Sequence, residues 1–253
     1  MTRVAVSGAA GRMGRMVMEA VAEADDLELV AGYDPECPGV TVAGREVSAD
    51  PDVVGGAEVV VEFTHPGVVM ENLDAWHRRR VSAVVGTSGF DAGRLDQIRA
   101  LWTNGPPNCL VVPNFSIGAV LMMRFAELAA RHFAASEIIE MHHDRKVDAP
   151  SGTSLATAER IRSGGGRQER AVESDELLPG ARGADAGPRV HAVRLPGLLA
   201  HQQVLFGSPG ETLTIRHDTM DRVSFLPGVM LAIRSVQELP DPVTVGLEGL
   251  LGL

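Results

Sequence analysis

Fourteen residues, Glu140 to Thr153 (EMHHDRKVDAPSGT), gather two histidines, a lysine and a Ser-Gly-Thr at a passage from a strand pattern to a helix pattern. A histidine near neutral pKa gives or takes a proton, and a lysine donates one or neutralises a carboxylate. Ser151-Gly152-Thr153 stands just ahead of a helical run, where a serine caps the helix and free backbone N–H groups face a small anion. His142 and His143 are adjacent, and neighbours on a strand point to opposite faces. With neither HExxH nor a Cys/His zinc spacing in the chain, no metal site is expected. A solvated charged loop is the plainer reading of the same residues.

A second segment favours chemistry. Gly8-Ala9-Ala10-Gly11-Arg12-Met13-Gly14 follows the apolar run Val4–Val6 and opens a helical pattern. Strand, glycine turn and helix in that order form the context of a dinucleotide fingerprint, here spaced G-x-x-G-x-x-G. Such glycines let the backbone turn tightly and approach a pyrophosphate at the positive end of a helix dipole. Asp34, 20 residues beyond Gly14, ends the next apolar run. An acid there accepts hydrogen bonds from an adenosine ribose, so NADH is favoured over NADPH. No arginine directly follows Asp34, yet Arg12 in the turn could offer a cation to a 2′-phosphate. Two further loops, Gly86-Thr87-Ser88 and Val112-Pro113-Asn114-Phe115, follow apolar runs at the sheet edge where an open α/β sheet binds its ligand. A nucleotide site followed by a proton donor and a carboxylate cradle points to hydride transfer to a small anionic imine, enone or carbonyl.

These residues need a frame. Arg12–Glu23 carries Met13, Met16, Val17, Ala20 and Val21 at the spacing of one buried helix face. Strand patterns at 27–31, 59–63, 83–85 and 110–112 alternate with helix patterns at 67–80 and 91–102. That order predicts a Rossmann-like α/β fold, a doubly wound parallel sheet. After Pro113 the pattern changes to a long helix at 116–133, a strand at 137–141 and a helix from Ser151 to Ser163. A Gly- and charge-rich loop is expected over 163–189, then a meander of strands at 190–194, 202–206 and 211–216. Phe225–Val236 reads as a helix returning to the first domain. The expected organisation is a dinucleotide-binding domain of 1–115 completed by 226–253, with an inserted α+β domain of 116–225.

Composition narrows the partners. The 253 residues hold 23 Lys+Arg against 33 Asp+Glu, a formal charge of −10, with only 10 aromatics. An acidic chain poor in aromatics argues against a nucleic-acid or membrane-surface partner. Cys37 and Cys109 follow no paired spacing, and no signal peptide or membrane span is read, so a cytoplasmic location is expected.

The chain closely resembles the 4-hydroxy-tetrahydrodipicolinate reductases, or dihydrodipicolinate reductases, and their actinobacterial branch most. The resemblance runs nearly the whole length: GAAGRMG at 8–14, FTHP at 63–66, GTSGF at 86–90, PNFSIGAVL at 113–121, EIIEMHHDRKVDAPSGT at 137–153, LPGARGAD at 178–185, HAVRLPGLLAHQQVLFG at 191–207 and GETLTIRHDTMDRVSFLPGV at 210–229. It implies NADH- or NADPH-dependent reduction of a cyclic, dicarboxylated imine in lysine biosynthesis, with loss of water from the hydroxylated substrate. It places His142 at the proton donor/acceptor position, Lys146 at the proton donor position, and His143, Gly152 and Thr153 where substrate carboxylates are held. Gly8 to Met13, Asp34, Gly86 to Ser88 and Val112 to Phe115 fall at cofactor positions, and Arg222 lies near the substrate or hinge. A homotetramer assembled through the inserted domain is also implied. The chain departs from the pattern at Ala10, where Lys is common, and at Glu62, where Asp is. Two other readings fit the residues alone: another nicotinamide-dependent reductase of a small dicarboxylate, and a non-catalytic NAD-sensing module, which would need the glycine turn but not His142 or Lys146.

Overall fold

Short runs of Val and Ala that do not alternate with polar residues are stable as strands only if covered on both faces, and the centre of the main sheet is built that way. The computed structural model describes residues 1–168 and 175–253. In chain order the first elements are β1 (Thr2–Ser7), α1 (Arg12–Glu23), β2 (Leu27–Tyr33), β3 (Thr41–Val42), β4 (Arg45–Ser48), β5 (Val59–Glu62), α2 (Val69–Arg78), β6 (Ser82–Val85), α3 (Ala92–Leu101) and β7 (Cys109–Val111). There follow α4 (Ile117–Ala130), β8 (Ala135–His142), α5 (Gly152–Ser163), β9 (Ala184–Asp185), β10 (Arg189–Arg194), β11 (Ala200–Ser208), β12 (Glu211–Thr219), α6 (Leu226–Ser235) and β13 (Val243–Val245). The chain divides into two units, Met1–Ile117 with Phe225–Leu253, and Gly118–Ser224.

The first unit carries an eight-stranded sheet ordered β13-β7-β6-β5-β1-β2-β4-β3, parallel except for the β3–β4 hairpin. Along β5, Val59 and Val61 face one core and Val60 the other, the period of two expected of a strand buried on both sides. Val17, Met18 and Val21 of α1 and Val229, Ala232 and Ile233 of α6 cover the first face. Val69, Leu73 and Trp76 of α2, one stripe at 4,3 spacing, cover the second. Burying such a side chain stabilises by about 1.5–3 kcal/mol. The strand order reverses at β1, with β2 on one side and β5 on the other, which opens a crevice beyond their carboxyl ends. Sequence patterns missed β3, β4 and β13. The hairpin is only two residues deep on one side, and its turn is Ala43-Gly44 with positive φ at both positions, a conformation ordinarily signalled by Asn-Gly.

The second unit carries a five-stranded sheet ordered β12-β11-β8-β10-β9. One face is covered by Ala126 and Ala130 of α4 and by Ala158 and Ile161 of α5, packed on Ile138, Val190, Val204 and Phe206. The expected meander is corrected here. β11 and β12 form a hairpin, but β10 and β11 do not pair; β8 lies between them, parallel to β10 and antiparallel to β11. The link 195–199 crosses the end of β8, with Leu195 N–H donating to the His142 carbonyl at 3.0 Å. The expected long loop holds the short strand β9, and its residues 169–174 lie outside the described ones.

Candidate active site

In the first unit a cleft of about 360 Å³ opens at the sheet's reversal, lined by Gly8, Gly11, Tyr33, Asp34, Pro35, Glu36, Phe63, Thr64, His65, Val68, Glu71 and Asn72. It is shaped by the glycine turn. Gly8 has φ +76°, and a Cβ there would strike the Phe63 carbonyl; a Cβ on Gly14 would strike the Gly8 carbonyl. Two of the three glycines therefore serve the contact of strand, turn and helix. Gly11 is the N-cap of α1 and supplies no side-chain cap, and the first turn holds no acid, so the helix's own residues leave its positive end bare. Arg12 and Met13 are the first two residues of that helix.

Asp34 closes the turn as well as lining the cleft. Its Oδ2 accepts from Ala10 N–H at 3.1 Å and its Oδ1 from Glu36 N–H at 3.1 Å, while Gly8 and Ala9 donate to the Tyr33 carbonyl. Each carboxylate oxygen has a second lone pair for a ribose hydroxyl. Asp34, Glu36 and Glu71 all line the cleft, with no lysine or arginine among the lining residues. A pyrophosphate fits the bare helix end, and ribose hydroxyls fit the acids, so the residues present suit a nicotinamide dinucleotide.

Gly86–Ser88 and Val112–Phe115 flank this cleft and do not line it. A Cβ on Gly86 would collide with the Phe63 and Phe115 rings, whose centroids are 5.5 Å apart. Thr87 Oγ1 accepts from Thr64 N–H at 3.0 Å, and Asn114 Oδ1 accepts from Ser116 N–H at 2.9 Å. Beneath them lies Glu62, wholly buried, taking hydrogen bonds from Thr64 Oγ1, Asn72 Nδ2 at 3.1 Å and Trp76 Nε1 at 2.8 Å. These three donors are neutral, and two of them, Thr64 and Asn72, belong to the cleft lining.

In the second unit His142 ends β8, and Glu140 lies two residues back on the same face as the buried Ser136 and Ile138. Glu140 is wholly buried. Its Oε2 meets His142 Nδ1 at 2.5 Å and Arg194 Nη1 at 2.8 Å; its Oε1 meets Arg194 Nη2 at 2.8 Å and Ser151 N–H at 3.1 Å. Burial pushes this carboxyl up, but the hydrogen bonds from Arg194 and His142 outweigh it and hold the group below the usual carboxylate value. Burial likewise drives the His142 ring below its ordinary value, with Glu140 opposing and the charges of Lys146 and Arg194 adding to the fall. Lys146 Nζ donates to both Asp148 oxygens, at 2.7 and 2.8 Å. Ser151 caps α5 through its Oγ, which accepts from Ser154 N–H at 3.2 Å. Ser151 is the helix cap expected from the sequence, and its own amide is taken by Glu140. Gly152 begins the helix, and a Cβ there would meet nothing within 4 Å. Thr153 follows it, and His143, next to His142 in the chain, has a buried Nδ1 with no hydrogen-bond partner among the described residues.

Thus His142 stands on the strand end, Gly152 and Thr153 on the helix start, and Lys146 on the loop between, with Glu140 bonding His142 and the residue just before Gly152. Arg222 starts a short 3₁₀ turn, Arg222–Phe225, where the two units divide. Among the described residues no group of His, Cys, Asp and Glu could hold a metal ion, and no helix is long and apolar enough to cross a membrane. Sequence reasoning gave no role to Glu140, Arg194, Tyr33, His65 or Glu71. Phe63 to His65 carried a signal, since they follow a strand at the ligand edge of the sheet. Arg194 carried none, being 54 residues from Glu140.

A crevice at the reversal of a doubly wound sheet, a bare helix end and an acid at the end of β2 define a Rossmann-type dinucleotide-binding protein, here with an inserted unit bearing acid–base groups. The family description "Dihydrodipicolinate reductase, N-terminus" matches residues 2–115, and "Dihydrodipicolinate reductase, C-terminus" matches residues 118–251. The chain is 51% identical to the 4-hydroxy-tetrahydrodipicolinate reductase of Nocardia farcinica over 259 residues, covering 99% of both. It is 52% identical to that of Thermobifida fusca over 258 residues, covering 100% of both. A dipicolinate-bound dihydrodipicolinate reductase from Paenisporosarcina sp. TG-14 superposes with a TM-score of 0.84 at 40% identity, covering 98% of this chain and 99% of the other. The chain belongs to the dihydrodipicolinate reductase family and is an NAD(P)H-dependent oxidoreductase.

Proposed function

We propose that this chain reduces 4-hydroxy-tetrahydrodipicolinate, by way of its dehydrated cyclic imine, to tetrahydrodipicolinate in the diaminopimelate route to lysine. The observation that carries this reading is the ordered cluster of His142, Lys146 and the open Gly152 turn around buried Glu140. A protein that only sensed NAD would need the cleft of the first unit and none of these groups. A nicotinamide dinucleotide, when bound in the cleft, would supply the hydride for the ring. His143, Gly152 and Thr153 hold the substrate carboxylates, and the Lys146 ammonium delivers the proton that the reduced ring takes up. His142 turns Nδ1 to Glu140, which leaves Nε2 as the atom that exchanges protons. Gly8 to Met13 and Asp34 hold the pyrophosphate and ribose, with Gly86–Ser88 and Val112–Phe115 shaping the nicotinamide end.

NADH is the preferred cofactor. A 2′-phosphate beside Asp34 adds charge to a cleft that already has three carboxylates. At an effective dielectric near 20, like charges ~5 Å apart repel by about 3 kcal/mol, which amounts to tenfold or more after screening. The protein works in the cytoplasm, as its free cysteines allow. It assembles as a homotetramer through the second unit, whose sheet leaves Val193 and Leu213 partly exposed.

Complementation tests the reading. A bacterial strain lacking its own reductase, and so dependent on added diaminopimelate, is expected to grow without it when expressing this chain but not the Lys146→Ala variant. Failure of the well-expressed wild type to support growth would reject the assignment.

A further inference from the structure

Resting on the reaction proposed above, we propose that Glu140, clamped by Arg194, is a positioning residue that fixes both the proton-exchanging ring of His142 and the start of the anion-holding turn at Gly152.

Each of its two oxygens serves one of those tasks. Oε2 takes His142 Nδ1 at 2.5 Å, which sets the ring's orientation and leaves Nε2 outward. Oε1 takes Ser151 N–H at 3.1 Å, which pins the residue immediately before Gly152. Arg194 spans both oxygens in a fork at 2.8 and 2.8 Å, so the carboxylate cannot rotate toward one task at the expense of the other. The same guanidinium donates to the Asp148 carbonyl at 2.6 Å, and Asp148 in turn holds Lys146. One buried carboxylate therefore ties together β8, which ends on His142, β10, and the loop from His143 to Ser151, which carries Lys146.

A buried ion pair is expensive and earns little net stability compared with apolar residues of the same shape. An acid kept wholly buried, bonded to two groups of the reaction site and to one cation, fits a demand for geometry better than a demand for stability. The charged groups around the His142 ring are Glu140 on its own strand, Arg194 on β10, and Lys146 with its partner Asp148 on the loop. Of these, only Glu140 is bonded to the ring.

The test is Glu140→Gln, with the His142 ring followed by ¹⁵N NMR titration in the free enzyme, dipicolinate binding by calorimetry, and steady-state kinetics. Removing the carboxylate removes the group that raises the ring's proton affinity. The His142 midpoint is expected to fall by about one unit, a tenfold loss in proton affinity, and the Nδ1–H form to lose its dominance. Dipicolinate affinity is expected to drop by about tenfold and kcat by about a hundredfold. Because a lone Arg194 cation is left behind, Glu140→Gln/Arg194→Gln provides a second variant free of that unpaired charge, with the same directions expected. A folded variant of either kind with unchanged ring titration, tautomer and dipicolinate affinity would overturn the proposal. The ring and dipicolinate readings need no turnover. Should the wild type fail to reduce the imine while its ring responds to Glu140 as stated, the functional reading falls and the positioning role stands.

Discussion

Gly8 and Gly152 stand at the mouths of two helices, each in a turn suited to an anion, yet they are glycine for opposite reasons. Gly8 has φ +76° and touches the Phe63 backbone so closely that the fold itself excludes a side chain. Gly152 has an ordinary φ and open space where a Cβ would go, so the fold makes no such demand. The first unit shapes its turn by backbone constraint, the second by a buried side-chain network that leaves open space at the helix start.

The sharpest way to break this contrast is at Lys146, the group with chemistry to lose and little structure. Lys146→Ala is expected to cut kcat by about 10²- to 10⁴-fold while NADH affinity, read by fluorescence titration, stays near wild type. A near wild-type kcat would remove Lys146 from the donor role. Gly8→Ala comes next. Positive φ and backbone collision together cost about 2–3 kcal/mol, so the unfolding midpoint should drop by about 5–10 °C with weakened NADH binding. An unchanged Tm would mean the turn accommodates a side chain after all.

Asp34→Asn probes selectivity between cofactors. The ratio of kcat/KM for NADH over NADPH is expected to fall by about tenfold, and a wild type that already prefers NADPH would contradict the acidic-cleft account. Gly152→Ala should leave the unfolding free energy within about 0.5 kcal/mol of wild type and raise the dipicolinate dissociation constant several-fold. Loss of stability without loss of affinity would reverse the distinction between the two glycines.

The smallest effect is acid sensitivity. Glu140 titrates below the usual 4.5 in the folded protein despite its burial, so its contribution to stability is full above that value and lost as pH falls through the folded one. His142, pushed below 6.5 mainly by burial, adds to the loss, because the unfolded ring takes up its proton first as pH falls below 6.5. Thermal unfolding against pH should therefore slope less steeply below pH 4.5 in Glu140→Gln than in wild type.

The two units differ in the same way in how far they could be read from sequence. In the first, α1 falls on Arg12–Glu23 as its periodicity predicts, and the glycine turn with Asp34 announces the cleft, because local backbone demands write themselves into residue type. Tyr33, Glu71 and Asn72 stayed hidden among the cleft residues, since only the strand order brings β2 and α2 to one crevice. In the second unit the titratable groups of Glu140–Thr153 stand together in the sequence, but the pairing of Glu140 with Arg194 does not. Arg194 reaches Glu140 only because β10 runs parallel to β8 on the far side from β11, and the meander suggested by three successive strand patterns hides that placement.

Steady-state oxidation of NADH by the purified protein, with 4-hydroxy-tetrahydrodipicolinate formed in situ from pyruvate and aspartate semialdehyde, tests the central claim most directly. The account predicts substrate-dependent NADH consumption, slower with NADPH and almost abolished in Lys146→Ala. No consumption of either cofactor by the folded wild type would contradict it.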